Sequence, residues 1–261
     1  MSKNKFIFVS VILSLILLQG CLHAPQNKDA ISQFSTMNAL MDGLYEASFN
    51  YAQIKKYGDF GIGTFNELDG EMIALDGKFY QIKSDGSVRN VTGSQKSAFC
   101  VVKFFNSDKK INLKGRNDYA NIIKQLEEEI TSKNIFYAVK IEGKFSYVKV
   151  RSIPRQAKPY KKLAQAAREQ NVFELKDIDG ALVGFRFPGY MPEINMAGWH
   201  LHFISKDGSS GGHVLDCVLA SGTIALDESS NFYLKLSSNA DFLKAGLEKL
   251  DKAAVEKIEK Q

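Results

Sequence analysis

Three of the chain's four histidines lie within fourteen residues, in the segment GWHLHFISKDGSSGGHVLD. His200 and His202 are two residues apart, so on a β-strand both imidazoles project from the same face. The turn residues that follow can fold the next strand back and bring His213 beside the pair. Three neutral imidazoles that converge in this way form the protein half of an open tetrahedral metal site, for which zinc is the usual ion. Iron, manganese, nickel and copper are alternatives for the same ligands.

The concentration of histidines carries more weight than the His-x-His spacing. A single histidine is more often a surface residue or a hydrogen-bonded core residue than a metal ligand. Here the fourth histidine, His23, lies next to the N-terminal apolar segment, and the other three share one short stretch. The sequence therefore predicts metal binding at these three residues.

Short apolar runs separated by turn residues predict a chain rich in β-strands around this segment. From Gly58 to Phe105, three Asp-Gly pairs divide such runs into a β-meander, because these pairs supply the positive backbone angles of tight hairpins. Helices are predicted at residues 36–46 and 117–132, where apolar residues recur at spacings of three and four. Strands return in IFYAVKIEG and FSYVKVRSI, and again throughout the second half.

These elements predict an α/β chain of the α+β type with two β-rich domains. Residues 36–155 are expected to form an N-terminal mixed β-sheet with helices. Residues 156–240 are expected to form a second β-rich domain that carries the histidines, after a boundary at the lysine-rich stretch KPYKKLAQAAREQ. A helical C-terminal tail is predicted over residues 241–261.

The first 21 residues contain two lysines and then an apolar run, which predicts a signal peptide. The run is shorter than the roughly 20 apolar residues of a membrane-spanning helix. The sequence LQGC resembles a bacterial lipoprotein processing site, at which the cysteine becomes the first mature residue and carries lipid. We therefore expect an exported protein, periplasmic or at the cell surface, anchored at Cys21 and followed by a polar tether over residues 22–35. Secretion without lipid is the alternative.

The net charge and the cysteines limit which partners and cross-links the chain is expected to have. The formal net charge is +5, but the lysines are spread among acids without a long basic tract, so nucleic acid is not an expected partner. Cys100 and Cys217 lie in apolar runs, which leaves open two buried free thiols or a disulfide in an oxidising compartment. Neither has the CxxC spacing of a metal ligand. The sequence is compatible with a homodimer and does not decide the oligomeric state.

Several long blocks resemble the alpha-acetolactate decarboxylase family. They are the histidine segment, the stretch GDFGIGTFNELDGEMIALDGKFYQIKSDG, and FRFPGYMPEINMAG. The blocks occur in the family's order and extend through nearly the whole mature chain. The resemblance implies that the second domain is a β-barrel and that the C-terminal tail returns to the metal site.

The resemblance also implies roles for matching residues. The implied zinc ligands are His200, His202 and His213. Glu71 would be an acidic group beside the metal, Arg151 would face the substrate, and Thr64 would line the same pocket. The family brings a second glutamate from the tail. Here Glu259 is the first choice and Glu256 the second, because the ending AVEKIEKQ lacks the glycine that usually follows.

The implied reaction is decarboxylation of a small molecule, 2-acetolactate, to acetoin and carbon dioxide without an organic cofactor. The metal would accept the electrons left behind by carbon dioxide. Arg151 would hold the substrate carboxylate, and Glu71 and Glu259 are suited to proton transfer. Two rivals stay open: a zinc-dependent hydrolase of a small ester or lactone, and a non-catalytic envelope lipoprotein that binds metal.

Overall fold

The computed structural model describes residues 27–247 of the chain. Within this range, thirteen strands form two sheets and five α-helices accompany them. The strands are β1 (Ile31–Phe34), β2 (Phe60–Thr64), β3 (Glu71–Leu75), β4 (Lys78–Ile82), β5 (Val88–Asn90), β6 (Phe99–Lys103), β7 (Lys109–Leu113), β8 (Asn117–Asp118), β9 (Phe136–Ser152), β10 (Asn171–Phe187), β11 (Gly198–Ser205), β12 (Gly211–Ser229) and β13 (Phe232–Lys235). The helices are α1 (Met37–Met41), α2 (Tyr51–Ile54), α3 (Tyr119–Glu129), α4 (Leu163–Ala166) and α5 (Ala240–Lys244).

The first sheet is mixed, as the sequence predicted. Its seven strands run in the order β13-β1-β6-β2-β3-β4-β5. The pair β1–β13 is parallel and the remaining pairs are antiparallel. The predicted meander is confirmed in β2 to β5. Its β3–β4 turn contains Asp76 and Gly77 with φ angles of 49° and 79°, the left-handed conformation that Asp-Gly pairs adopt readily.

The second sheet is built on three long strands. Its order is β11-β10-β9-β12-β7, with β8 also paired to β12. The strand β11 pairs with β12 as well as with β10. The long strand β12 therefore pairs with β9 at one edge of the group β9-β10-β11 and with β11 at its other edge. This double pairing brings the histidine-bearing strands β11 and β12 next to each other.

The predicted domain boundary at residue 155 does not coincide with the division between the sheets. The strands β7, β8 and β9 precede that residue but belong to the second sheet, and β13 follows it but belongs to the first. The lysine-rich stretch is a connection that contains α4. The polar composition of this stretch is typical of a linker between domains. The pairing of β9 with β10 and β12, which places β9 in the second sheet, depends on contacts distant in sequence.

The predicted tether over residues 22–35 is wrong at its C-terminal end, because β1 lies inside the first sheet between β13 and β6. The polar residues of β1 do not follow the apolar pattern that predicts a strand. Gln33 is fully buried, and its amide donates to the carbonyl oxygens of Ser35 and Ile194 at 2.9 and 2.7 Å and accepts from Asn195 at 2.8 Å. A polar side chain with all these hydrogen bonds can occupy a core position.

The helices are shorter than the sequence predicted. In α1 the Thr36 hydroxyl accepts from the Ala39 N–H at 3.2 Å, and Gly43 with a φ of 88° follows the helix end. In α3, Asp118 caps the N-terminus by accepting from Asn121 at 2.9 Å. Of the predicted C-terminal tail, α5 is described, and residues 248–261 lie outside the described range. No helix within residues 27–247 is long and apolar enough to span a bilayer.

The main apolar core packs the two sheets against each other. It contains side chains of β2 and β6 from the first sheet and of β9 and β10 from the second. The rings of Phe60 and Phe185, for example, meet edge to face with centroids 5.8 Å apart. Because the sheets meet here, side chains of both can reach one site.

Neither Cys100 nor Cys217 forms a disulfide in the described part of the chain. Cys100 and Cys217 are both buried thiols. Burial raises the pKa of each to about 12, so both stay protonated and unreactive at neutral pH. The buried-thiol interpretation of the sequence is therefore the one that the structure supports.

Lys103 on β6 links the sheets through a buried ion pair. Its Nζ lies 2.7 Å from Asp227 Oδ1 on β12 and 2.9 Å from Asp29 Oδ1. Burial raises the pKa of the Asp227 carboxyl to about 6, so its charge at neutral pH depends on the lysine.

We expect Lys103→Ala to lower the free energy of unfolding by about 3–5 kcal/mol, because it leaves a buried carboxylate without its counter-charge. Urea unfolding of the variant measures this loss. The matched control is Lys109→Ala, which removes a half-exposed lysine paired with Glu129 and should change stability by under about 1 kcal/mol. Equal losses in the two variants would contradict the assignment.

Candidate metal centre

Two paired strands present the three histidines to one point. His200 and His202 lie two residues apart on β11, so their side chains share a face. The next strand, β12, runs antiparallel, and His213 is the direct cross-strand partner of His202. Gly212 precedes His213 with a φ of 149°, and a Cβ there would lie 2.6 Å from the Arg151 carbonyl oxygen. Glycine is thus required for this close approach, and the predicted hairpin is confirmed.

The spacing of the rings fits a single metal ion. The ligand nitrogens of the three histidines lie within 4.8 Å of one another, and His200 Nε2 is 2.9 Å from His213 Nδ1. Ring centroids are separated by 4.8 to 5.3 Å. A tetrahedral zinc with bonds of about 2.0–2.1 Å needs ligand nitrogens roughly 3.3 Å apart. The 2.9 Å separation and the 4.8 Å limit lie on either side of this value.

The buried histidines are in the protonation state that binds a metal. Burial lowers the pKa of His202 and His213 well below the ordinary value, and the Arg151 charge and neighbouring histidines add to the effect. Both imidazoles are therefore neutral at neutral pH. His202 Nδ1 lies 3.1 Å from the Met72 carbonyl oxygen, which can only accept, so Nδ1 carries the proton. The lone pair of His202 is then on Nε2, which lies 3.7 Å from Glu71 Oε2.

Glu71 and Arg151 form a buried ion pair beside the histidines. Arg151 Nη1 donates to Glu71 Oε1 at 3.2 Å, and the two side chains are 5% and 9% exposed. Arg151 is on β9 as the cross-strand partner of His213, whereas Glu71 opens β3 in the other sheet. The site therefore joins the two sheets.

Thr64, the last residue of β2, contacts the start of β3 across the sheet. It is the cross-strand partner of Glu71, and its hydroxyl donates to the Gly70 carbonyl oxygen at 2.7 Å. Its own carbonyl accepts from the hydroxyls of Ser97 and Tyr51 at 2.8 and 3.2 Å. Thr64 is thus held rigidly where it faces the cavity.

The predicted site residues line one cavity, of about 40 Å³. It is lined by all six predicted residues that fall in the described range: Thr64, Glu71, Arg151, His200, His202 and His213. Further apolar side chains complete the lining, and sequence reasoning missed them as functional residues: Met37, Leu40, Leu68, Phe99, Ile153 and Leu163. Their apolar periodicity predicts burial only, and nothing in the sequence separates a pocket wall from an ordinary core.

The tail glutamates Glu259 and Glu256 lie outside the described residues. The last described residue, Leu247, is next to α1, since its carbonyl accepts from Asn38 Nδ2 at 2.7 Å. Helix α1 supplies Met37 and Leu40 to the cavity. The described chain therefore ends close to the site.

Comparisons with known proteins identify the family. The family model for alpha-acetolactate decarboxylase matches residues 31–249. The chain is 45% identical to the alpha-acetolactate decarboxylase of Methanosarcina mazei over 232 residues, covering 89% of this chain and 81% of that protein. It is 41% identical to that of Bacillus subtilis over 221 residues, covering 85% and 87%. A crystal structure of the alpha-acetolactate decarboxylase of Bacillus subtilis strain 168 matches with a TM-score of 0.86 at 39% identity, covering 88% of this chain and 99% of that chain. This chain therefore belongs to the alpha-acetolactate decarboxylase family.

Proposed function

We propose that this chain decarboxylates 2-acetolactate to acetoin and carbon dioxide, using a divalent metal held by its three histidines. The observation that carries the proposal is the convergence of the histidine group, Glu71 and Arg151 on one cavity in a chain of this family. These groups match the three demands of the reaction: a place for negative charge, a carboxylate binder and a proton carrier.

The reaction breaks the bond between C2 of the substrate and its carboxylate. Carbon dioxide leaves, the electron pair moves toward the neighbouring ketone oxygen to give an enediolate, and a proton then adds to C2. A metal bound by His200, His202 and His213 supplies a Lewis acid that stabilises this developing negative charge. The family resemblance and the neutral imidazoles favour zinc, and other divalent transition metals suit the same nitrogen ligands.

Arg151 is suited to binding the substrate carboxylate before it leaves. Its guanidinium is fixed on one side by Glu71. Its Nε is buried and has no hydrogen-bond partner among the described residues. A buried donor without an acceptor is unfavourable by about 1–3 kcal/mol, and a bound carboxylate would supply that acceptor.

Glu71 and a tail glutamate are the proposed proton carriers. Glu71 lies within reach of both Arg151 and His202. Glu259 is twelve residues beyond Leu247, which contacts the helix that lines the cavity. The family resemblance makes Glu259 the first choice and Glu256 the second.

We also propose that the second sheet closes into the β-barrel that the family resemblance implies, which the pairing of β11 with both β10 and β12 supports. From the sequence we further propose export through the N-terminal segment, a lipid at Cys21 and a homodimer.

A substrate panel distinguishes this function from its rivals. The purified protein is incubated with racemic 2-acetolactate and, separately, with short esters and lactones. We expect acetoin from the first and no hydrolysis of the others. Hydrolysis without acetoin would favour the zinc hydrolase, and bound metal with neither activity would favour a metal-binding lipoprotein.

A further inference from the structure

The cavity beside the histidines is lined by two chemically different sets of side chains. The polar lining comes from strands of both sheets. The apolar lining comes from Met37 and Leu40 of α1, Leu163 of α4, and Leu68, Phe99 and Ile153. Nothing in the decarboxylation step itself requires this apolar lining.

The substrate has two alkyl groups that need an apolar environment. Its carboxylate, hydroxyl and ketone oxygens are matched by the polar lining, which leaves the methyl group on C2 and the methyl group of the acetyl unit. Apolar groups bind favourably where they leave water for an apolar wall. We propose, on the basis of the proposed decarboxylation, that Leu163 with Leu40 limits the size of the substrate's alkyl groups and so determines specificity.

Leu40 and Leu163 lie on parts of the cavity wall that can be substituted without changing either sheet. Phe99 is paired with Thr64 in the first sheet, and Ile153 follows directly after β9 with Arg151, so changes there disturb residues of the site. Helices α1 and α4 lie outside both sheets and pack against each other. They have five and four residues, too few to be stable without packing. Their side chains can change without breaking a strand pairing.

The cavity is small. Its volume of about 40 Å³ leaves room for only a few water-sized groups, so a five-carbon acid contacts the wall on entering. Against a hydrophobic wall, one additional or missing methylene typically changes kcat/KM by about 10–200-fold.

The test compares substrates that differ by one methylene. Metal-loaded full-length protein and its Leu163→Ala variant are given 2-acetolactate and two analogues, one with ethyl in place of the C2 methyl and one with ethyl in place of the acetyl methyl. Release of carbon dioxide gives kcat/KM for each. We expect Leu163→Ala to raise the ratio of at least one analogue to 2-acetolactate by about tenfold or more.

A matched leucine separates specificity from general destabilisation. Leu126 on α3 is fully buried in a different cluster, away from the cavity. Leu126→Ala should lower stability but leave the ratio as in the wild type. Should Leu163→Ala fail to fold, Leu163→Val gives a smaller rise of the same sign, and Leu163→Phe lowers the ratio.

The result also separates this inference from the function on which it rests. If the wild type makes acetoin and the ratios stay unchanged in every Leu163 variant, the leucine does not determine specificity and the proposed function stands. If the wild type makes no acetoin, both are overturned.

Discussion

We expect replacement of His202 by alanine to abolish both metal binding and acetoin production. His202 is buried, lies directly opposite His213, and has its ring fixed by the Met72 carbonyl. Two nitrogens then remain of a three-nitrogen site, and alanine offers no lone pair in place of the imidazole. Because the metal's stabilisation of negative charge amounts to several kcal/mol, turnover should fall by at least about a thousandfold.

Metal analysis by mass spectrometry and acetoin assays on the purified variant check this result. The matched control is His23→Ala, which changes the one histidine outside the cluster and should leave metal content and rate at wild-type values. A His202→Ala protein that is free of metal and still active would exclude the three histidines from the reaction. Circular dichroism distinguishes loss of the site from loss of the fold.

Replacement of Arg151 by lysine keeps the metal and removes most of the turnover. Lysine preserves the positive charge but has a single ammonium group, whereas the guanidinium can contact Glu71 and a carboxylate at once. We expect kcat/KM to fall about a hundredfold, equivalent to about 2.7 kcal/mol of transition-state stabilisation. Metal content should stay at the wild-type value, because Arg151 is not among the nitrogen ligands.

Arg155→Lys is the control for this substitution. Arg155 is four residues along the chain, is 64% exposed and pairs with Glu67, so its change should leave kcat/KM within a few-fold of the wild type. Wild-type turnover in Arg151→Lys would remove Arg151 from carboxylate binding. Loss of metal from that variant would instead show that the ion pair with Glu71 supports the histidine site.

The histidine group could be predicted from the sequence because its geometry is local. A spacing of two on one strand and a short hairpin to the next fix the relative positions of His200, His202 and His213. The meander was predictable for the same reason, since each Asp-Gly pair acts on neighbouring residues. Glu71, Arg151 and Thr64 came from the family resemblance alone, because the contact of β3 with β9 across the two sheets has no local signal.

The misplaced elements depend on contacts distant in sequence. The sequence predicts a tether at β1 because Ser32 and Gln33 are polar. The buried amide of Gln33 depends on partners such as Asn195, more than 150 residues away. The boundary at residue 155 failed since β9 and β10, on either side of it, pair along most of their length. The apolar wall of the cavity was missed because burial and substrate contact give the same apolar pattern.

The most direct test of the account is acetoin release from racemic 2-acetolactate by the purified protein, measured as isolated, after treatment with a chelator, and after zinc is added back. We expect acetoin from the untreated protein, loss of the activity with chelator, and recovery with zinc. Acetoin production that continues at the same rate in metal-free protein would contradict the metal-dependent mechanism, and a folded, zinc-loaded protein that releases no acetoin would contradict the proposed function itself.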